Sequence, residues 1–232
     1  MISKAVPFID IHTHSTRINS GLYSYGIHPW AIQRDELTPP KSSLSDRGSV
    51  RPSDLAAIGE TGLDRLHKDT YDLQLEVFEQ HILLSEQYQK PLIIHNVKAT
   101  ADILRLYKKH QPKQAWIIHG FNGTIEEVHQ FTSKGIYLSV GESIFYPNRK
   151  ITQSISSIPL EYLFLETDTS EKTIQQIYEK AAELLNLSMD QLKEQIFANF
   201  ARLKLTPWKT GNNAPDCSSA TMALINWDEA MC

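Results

Sequence analysis

A short apolar run recurs five times in this sequence, and each time it ends at or near a residue that can bind a metal. Continuous runs of Ile, Leu and Ala are typical of strands buried on both faces of a parallel sheet. In a closed barrel of such strands, the carboxyl ends meet at one face, where these folds place their functional residues. The residues that should converge there are His12, His14, Glu60, His95, His119 and Asp168.

Helical patterns separate most of these runs, which favours an α/β fold, specifically a TIM-like (β/α) barrel. Seven strands are recognisable against the usual eight, so we expect a reduced or distorted barrel. The predicted strands are Pro7–Ile11, Leu22–Gly26, Ala56–Gly59, Pro91–Ile94, Ala115–Ile118, Gly135–Val140 and Tyr162–Leu165. The predicted helices cover Thr70–Gln89 and Ala99–His110, begin at Thr124, Ser170 and Ser188, and end near Gly135, Leu185 and Leu203.

The chain of 232 residues is long enough for one barrel-sized domain. We expect this domain over residues 1–204, with a loop over 38–54. After Leu203 no periodic pattern continues, and Pro, Gly, Asn and Ser recur. Residues 205–232 are therefore expected to form a C-terminal tail, either disordered or packed on the barrel as a short segment.

The composition limits the classes of partner. A net charge of −4 argues against a broad basic face for long duplex DNA, although metal ions would let the protein accept a phosphate-containing substrate. Cys217 and Cys232 lie near the C-terminus, so the body has neither a disulfide framework nor a thiolate metal site. With no apolar run of about 18 residues and no signal-peptide core, we expect a cytoplasmic protein without a membrane segment.

Each candidate ligand also has a plainer interpretation. His12 and His14 would point to the same side of a strand, either as two ligands of one ion or as a hydrogen-bonded surface pair. Glu60 lies between Gly59 and Gly62, and its two oxygens can bridge two ions. The alternative is a solvated carboxylate, or one that caps a helix, at a turn after a strand.

His95 and His119 each follow a pair of isoleucines, as ligands or as hydrogen-bonded histidines of the core or rim. Asp168 can bind a metal and take a proton from water, or it can cap the next helix, although Ser170 is better placed to do so. Four histidines and two carboxylates exceed the needs of one structural ion and suit two divalent ions that share a carboxylate. Nitrogen and oxygen ligands fit Zn²⁺, Mn²⁺, Fe²⁺ or hydrated Mg²⁺.

Six short motifs follow one another in the chain, and a seventh closes the series. They are Phe8–His14, Gly26–Pro29, Ile58–Asp64, Pro91–His95, Ile118–Gly123, Leu165–Asp168 and Asn199–Leu203. In this order they resemble the TatD family of metal-dependent hydrolases, which are amidohydrolase-like TIM barrels, over about residues 7–204. Two features depart from the family pattern: the strand and helix usual between the first two motifs are missing, and the usual long loop after Asp168 is short.

The resemblance implies metal-dependent DNase activity, often as a 3′ exonuclease, with D-aminoacyl-tRNA deacylation known for some members. It implies two divalent ions, one held by His12, His14, Glu60 and Asp168, and the other by Glu60, His95 and His119. Glu60 and Asp168 would be the catalytic residues. Short or single-stranded DNA ends would be the substrate, and Asp168 would orient or deprotonate the attacking water.

Other side chains have predicted supporting roles. Asp64 and Glu166 would accept hydrogen bonds from the metal-binding histidines. The residues predicted to contact substrate are His28, Arg65, Lys98 and Asn122. Each of these four is equally well explained as a turn or solvated loop residue. Two further functions stay open: an esterase, amidase or deacylase that uses the same ions, and an accessory subunit in which the metal is structural.

Overall fold

Eight parallel strands form one sheet in the computed structural model, which describes residues 6–14, 23–33 and 55–203 and the backbone of residues 221–227. The predicted loop over 38–54 lies outside the described residues. The order across the sheet is β1-β8-β2-β3-β4-β5-β6-β7. The strands are β1 (Phe8–Thr13), β2 (Tyr23–Tyr25), β3 (Leu55–Asp64), β4 (Leu92–Val97), β5 (Trp116–Ile118), β6 (Tyr137–Val140), β7 (Leu163–Leu165) and β8 (Thr221–Trp227).

The two outermost strands of this order also meet, so the sheet closes into a barrel. Thr13, at the end of β1, forms a parallel bridge with Asp168, three residues beyond β7. The His14 N–H donates to the Asp168 carbonyl at 3.1 Å, and the Asp168 N–H donates to the His12 carbonyl at 3.0 Å. The predicted TIM-like barrel and its seven predicted strands are confirmed.

Helices cover the outside of the sheet, and their buried faces pack on the strands. They are α1 (Tyr71–Tyr88), α2 (Thr100–His110), α3 (Ile125–Thr132), α4 (Lys150–Ser154), α5 (Ile174–Leu185) and α6 (Met189–Arg202). The predicted capping boxes at Thr124 and Ser188 are present, each with a side chain that accepts the N–H of the third helical residue. The short helix α4 has no counterpart among the predicted elements.

The start of α5 differs from the prediction, which placed it at Ser170. Thr173 and Gln176 form the capping box that begins this helix. The Ser170 hydroxyl instead donates to Glu142 at 2.6 Å and accepts the Lys172 N–H at 3.0 Å. Ser170 therefore stabilises the turn after Asp168 and caps no helix.

The apolar strand residues form the core on both faces of the sheet. All ten residues of β3 are buried, and Ile9, Ile93, Ile117 and Phe164 have no exposed surface. Burial of each such side chain contributes about 1.5–3 kcal/mol, which explains why the runs lack polar alternation. None of the helices within the described ranges combines the length and apolarity that a bilayer crossing requires.

Two glycines let β3 approach β4 more closely than other residues would. Gly59 has a φ of +122°, and a Cβ placed there would lie 2.4 Å from the Ile93 carbonyl oxygen. Gly62 has a φ of +148°, and its Cβ would lie 2.1 Å from the His95 carbonyl oxygen. Both distances are far shorter than any tolerated contact, so only glycine fits. The side chain of Glu60, between them, is thereby brought against the carboxyl end of β4.

The C-terminal segment differs most from the expectation. Residues 221–227 form β8, which pairs in parallel with β1 on one side and β2 on the other. Of the two expectations for this tail, the disordered one is wrong for residues 221–227, which lie in the barrel sheet itself, between β1 and β2. The barrel therefore has eight strands among the described residues, not seven.

Deletion of β8 should destabilise the protein strongly. A chain that ends at residue 220 leaves β1 and β2 without the backbone partners that β8 supplies. We expect a loss of at least about 3 kcal/mol in the free energy of unfolding, measured by urea denaturation. A chain that ends at residue 227 is the matched control and should unfold like the full chain. Equal stability of all three chains would contradict the position of β8.

Candidate metal centre

The first part of the centre is built where β1 meets β7. His12 is the fifth residue of β1 and is fully buried, while His14 follows the strand with its side chain 25% exposed. Both rings face the same side, as their spacing predicts. The Asp168 Oδ1 lies 3.8 Å from His12 Nε2 and 3.5 Å from His14 Nε2. Barrel closure, rather than proximity in the chain, brings the three groups together.

Glu60 occupies the middle of the centre, and its two oxygens face different histidines. On one side, Oε2 lies 3.1 Å from His12 Nε2 and 3.3 Å from His14 Nε2. On the other side, Oε1 lies 2.8 Å from His95 Nδ1 and 2.6 Å from His119 Nε2. The carboxylate is only 2% exposed, so these imidazoles replace water as its partners.

The negative charge of Glu60 and the positive charge of His119 stabilise each other. Burial alone would raise the pKa of Glu60, but the charge of His119 and hydrogen bonds from His119, His12 and His14 hold that pKa well below its usual range. Burial would likewise lower the pKa of His119, but the carboxylates of Glu60 and Glu166 raise it well above its usual range. In the absence of a metal, His119 is therefore an imidazolium between two carboxylates.

Asp168 marks the open side of the centre. Its backbone is left-handed, with a φ of 51°, which turns the side chain back towards β1. The carboxylate is 35% exposed, in contrast to Glu60. Burial, and then the charge of Glu166, raise its pKa. Asp168 can therefore hold a proton more readily than an ordinary aspartate, and it is not a helix cap.

The donor set fits divalent metal ions. Ligand atoms of His12, His14 and Glu60 lie within 4.8 Å of one another, and so do those of His12, His119 and Asp168. A cluster of several imidazole nitrogens around a buried carboxylate is stable when cations occupy the space between them. With neutral histidines and two acids, the groups match the nitrogen and oxygen ligands of zinc, manganese or iron.

Two further carboxylates lie behind the histidines, as predicted for Asp64 and Glu166. Asp64 Oδ2 is 3.7 Å from His95 Nε2, the ring nitrogen that faces away from Glu60. Glu166 Oε1 is 3.6 Å from His119 Nδ1 and accepts the Gly120 N–H. Both distances exceed hydrogen-bond length, so each carboxylate lies near the outer nitrogen of its imidazole without bonding to it.

A third buried carboxylate, Asp10, was missed by the sequence reasoning. Its two oxygens accept the N–H of Thr167 at 3.0 Å and the hydroxyl of Thr167 at 2.6 Å. Burial raises the pKa of Asp10 to about 7, against the lowering effect of these hydrogen bonds. This contact ties β1 to the residue before Asp168. Its position inside an apolar strand was the one available signal, because a buried carboxylate requires hydrogen-bond partners.

His28 also contacts Glu60, with Nε2 lying 3.0 Å from Oε1. Its other nitrogen, Nδ1, accepts the backbone N–H of Trp30 at 3.1 Å. A ring whose Nδ1 accepts carries its proton on Nε2, so that His28 is a hydrogen-bond donor to the centre. This tautomer has no lone pair on Nε2 for a metal. That His28 contacts substrate stays a prediction, and its ligand atom also lies within 4.8 Å of those of Glu60 and His95.

The other three predicted substrate contacts lie in different environments. The Arg65 guanidinium pairs with Asp102 and lies 4.7 Å from the centre of the Tyr71 ring, so its charge is already partnered. Asn122 uses its side-chain oxygen to accept the Ile151 N–H at 3.2 Å and so holds the loop before α4. Lys98 is exposed just after β4, with a φ of 53°. Arg65 and Lys98 are thus both exposed, and the charge of Arg65 is paired with Asp102.

The comparisons with known proteins agree with this arrangement. A family model described as TatD related DNase matches residues 9–204. The chain belongs to the TatD-related DNase family. Curated relatives include the metal-dependent hydrolase YjjV of Escherichia coli, 30% identical over 149 residues that cover 63% of this chain and 57% of that protein.

Another relative is named Deoxyribonuclease Tat-D, from Schizosaccharomyces pombe, and is 28% identical over 62% of this chain and 49% of that protein. The chain spans about three fifths of the length of the first curated TatD relatives that it matches. Two solved structures share the fold. The YjjV crystal structure has a TM-score of 0.72 at 22% identity, covering 84% of this chain and 97% of that chain. A TatD family hydrolase from Entamoeba histolytica has 0.64 at 16% identity, covering 87% and 99%.

Metal binding should release a proton from His119. Because carboxylates raise its pKa, this imidazole is protonated at pH 7 in the metal-free protein, and a ligand must be unprotonated. We expect about one proton released per chain, with affinity that increases as pH rises from about 6 to 8. Calorimetric titration with Zn²⁺ in two buffers of different ionisation enthalpy measures this number.

Glu166→Gln is the matched variant, since it removes one of the charges that raise the pKa of His119. It should release fewer protons at the same pH. Equal proton release by the variant and the unchanged protein would contradict the role assigned to Glu166.

Proposed function

We propose that this protein is a metal-dependent hydrolase that cleaves phosphodiester bonds in short or single-stranded DNA, with two divalent ions that share Glu60. The observation that carries the proposal is the division of the Glu60 oxygens between two groups of histidines. One ion would be held by His12, His14, Glu60 and Asp168, and the other by Glu60, His95 and His119. Zn²⁺, Mn²⁺, Fe²⁺ and Mg²⁺ are the candidate ions.

The charge of the centre supports a requirement for metal. Glu60, Glu166 and Asp64 are acidic, and without cations they would repel a phosphodiester. Bound divalent ions neutralise this charge, lower the pKa of a water molecule and stabilise the attacked phosphoryl group. His28 Nε2–H adds a neutral donor at the same place, suited to a phosphate oxygen.

Asp168 is the proposed proton acceptor for the attacking water. Its carboxylate is partly exposed at the open side of the centre, and its raised pKa makes it a stronger base than an ordinary aspartate. Glu60 is too deeply buried, and too fully engaged by imidazoles, for that task. Its proposed role is to hold the ions.

The partial exposure of His14 and Asp168 also bears on whether the metal site is catalytic or structural. Structural metal sites are closed by four protein ligands, whereas catalytic sites keep an open position. The partial exposure of these two side chains favours a catalytic centre and argues against a purely structural metal in an accessory subunit. The cytoplasm remains the predicted compartment.

Substitution of Asp168 or Glu60 should separate these roles. We expect Asp168→Asn to lower kcat by about 100-fold or more because the general base is lost, with most of the metal retained since the Asn side-chain oxygen can still serve as a ligand. Glu60→Gln should lower both turnover and the metal content per chain, measured by plasma mass spectrometry. Asp190→Asn, at an exposed position on α6, is the control and should change neither. Full activity of Asp168→Asn would contradict the assignment.

The substrate class is tested by assaying DNA and an aminoacyl-tRNA side by side. Metal-loaded protein is incubated with single-stranded DNA blocked at the 3′ or the 5′ end, and in parallel with a D-aminoacyl-tRNA. We expect metal-dependent release of nucleotides from an unblocked DNA end. Hydrolysis of the aminoacyl ester with no cleavage of DNA would overturn the phosphodiesterase proposal in favour of a deacylase.

A further inference from the structure

The large aromatic ring of Trp30 is exposed at the mouth of the metal centre. It lies on a short 3₁₀ turn, Pro29–Ala31, directly after His28, and it is 60% exposed. Most large apolar side chains on the elements around the barrel are buried instead. A Trp side chain in this position does not contribute to the core, so its placement requires another explanation.

The structure holds this exposed ring in place. The indole N–H donates to Asp64 Oδ2 at 2.8 Å, and Asp64 is only 2% exposed. The turn itself is held by His81 on α1, whose Nε2 accepts the Ile27 N–H at 3.1 Å while its Nδ1 donates to the Val77 carbonyl at 2.7 Å. A ring fixed before binding loses little conformational entropy when a ligand packs on it.

The Trp30 ring lies next to two of the histidines that surround Glu60. Its centroid lies 4.8 Å from that of His28 and 5.9 Å from that of His95, and both of these imidazoles contact Glu60. His67, at 5.4 Å and 34°, extends the aromatic surface away from the centre. One imidazole ring therefore separates Trp30 from Glu60, which is where a base would lie if its phosphate were at the centre.

We infer that Trp30 is a stacking platform for a nucleobase next to the cleaved phosphodiester bond. The inference rests on the proposed function, because a nucleic acid substrate supplies the base. Stacking on an aromatic ring needs an unpaired base and tolerates any sequence. It would restrict cleavage to single-stranded or frayed ends without the basic surface that long duplex DNA requires.

The test combines a change in the protein with a change in the substrate. Trp30→Leu removes the aromatic ring and the indole N–H, whereas Trp30→Phe removes the N–H but keeps a smaller aromatic face. The substrates are a single-stranded oligonucleotide and two copies in which the nucleotide on one or the other side of the cleaved bond is abasic. The quantity measured is kcat/KM for each protein with each substrate, with metal bound.

We expect Trp30→Leu to lose about 5- to 150-fold in kcat/KM on the intact substrate, mainly through KM. The unchanged protein should lose a similar factor on one of the two abasic substrates. Trp30→Leu should lose little more on that abasic substrate, because the two changes remove the same contact. Trp30→Phe should retain most of the activity on the intact substrate.

Two results would overturn the inference while the proposed function stands. One is an equal loss by Trp30→Leu on the intact and both abasic substrates. The other is an equal loss by Trp30→Phe and Trp30→Leu, which would show that Trp30 acts only by holding Asp64 through its N–H. Failure of the unchanged protein to cleave any oligonucleotide would instead overturn the proposed function, and the inference with it. The comparison of intact and abasic DNA with the unchanged protein tests the inference even if a variant does not fold.

Discussion

The carboxylate of Glu60 is the group on which the rest of this centre depends. A buried carboxylate costs free energy unless positive charge or hydrogen-bond donors surround it, and here the donors come from β1, β4 and the end of β5. β4 pairs directly with β3, which carries Glu60, whereas β1 and β5 are not neighbours of β3 in the sheet and reach Glu60 across the barrel. Closure in turn relies on the contacts of Asp168 and Thr167 with β1. The centre and the fold therefore stabilise each other.

The surroundings of the second nitrogen differ among the three imidazoles that face Oε1 of Glu60. Asp64 and Glu166 face the outer nitrogens of His95 and His119 and so leave the inner nitrogens free to bind a cation. At His28 the outer nitrogen accepts a backbone N–H, so the inner nitrogen keeps its proton. Three histidines at similar distances from one carboxylate thus differ in what faces their second nitrogen.

Much of this arrangement could be predicted from the sequence, because a strand buried on both faces reads as a continuous apolar run. The same rule missed β8, since Met222-Ala223-Leu224-Ile225 follows a Pro- and Gly-containing segment whose sequence has no helical periodicity. Its position depends on a gap between β1 and β2, which is a property of the whole barrel. No local pattern encodes that gap.

The candidate site, like the fold, could be predicted only in part. That the six candidate ligands lie close together could be predicted because each lies in or just after a strand, and parallel strands end at the same face. Partners distant in sequence could not be found, as Arg65 with Asp102 and Asn122 with Ile151 show. The fixed position of the Trp30 indole and the tautomer of His28 could not be predicted either, because both depend on hydrogen bonds that form only in the folded chain.

The central claim is that one carboxylate joins two metal ions. Anomalous X-ray scattering from crystals of the Mn²⁺-loaded protein tests it most directly. We expect two peaks about 3.5–4 Å apart, one near each oxygen of Glu60, with His12 and His14 beside the first and His95 and His119 beside the second. A single peak, or peaks that do not touch Glu60, would contradict the account.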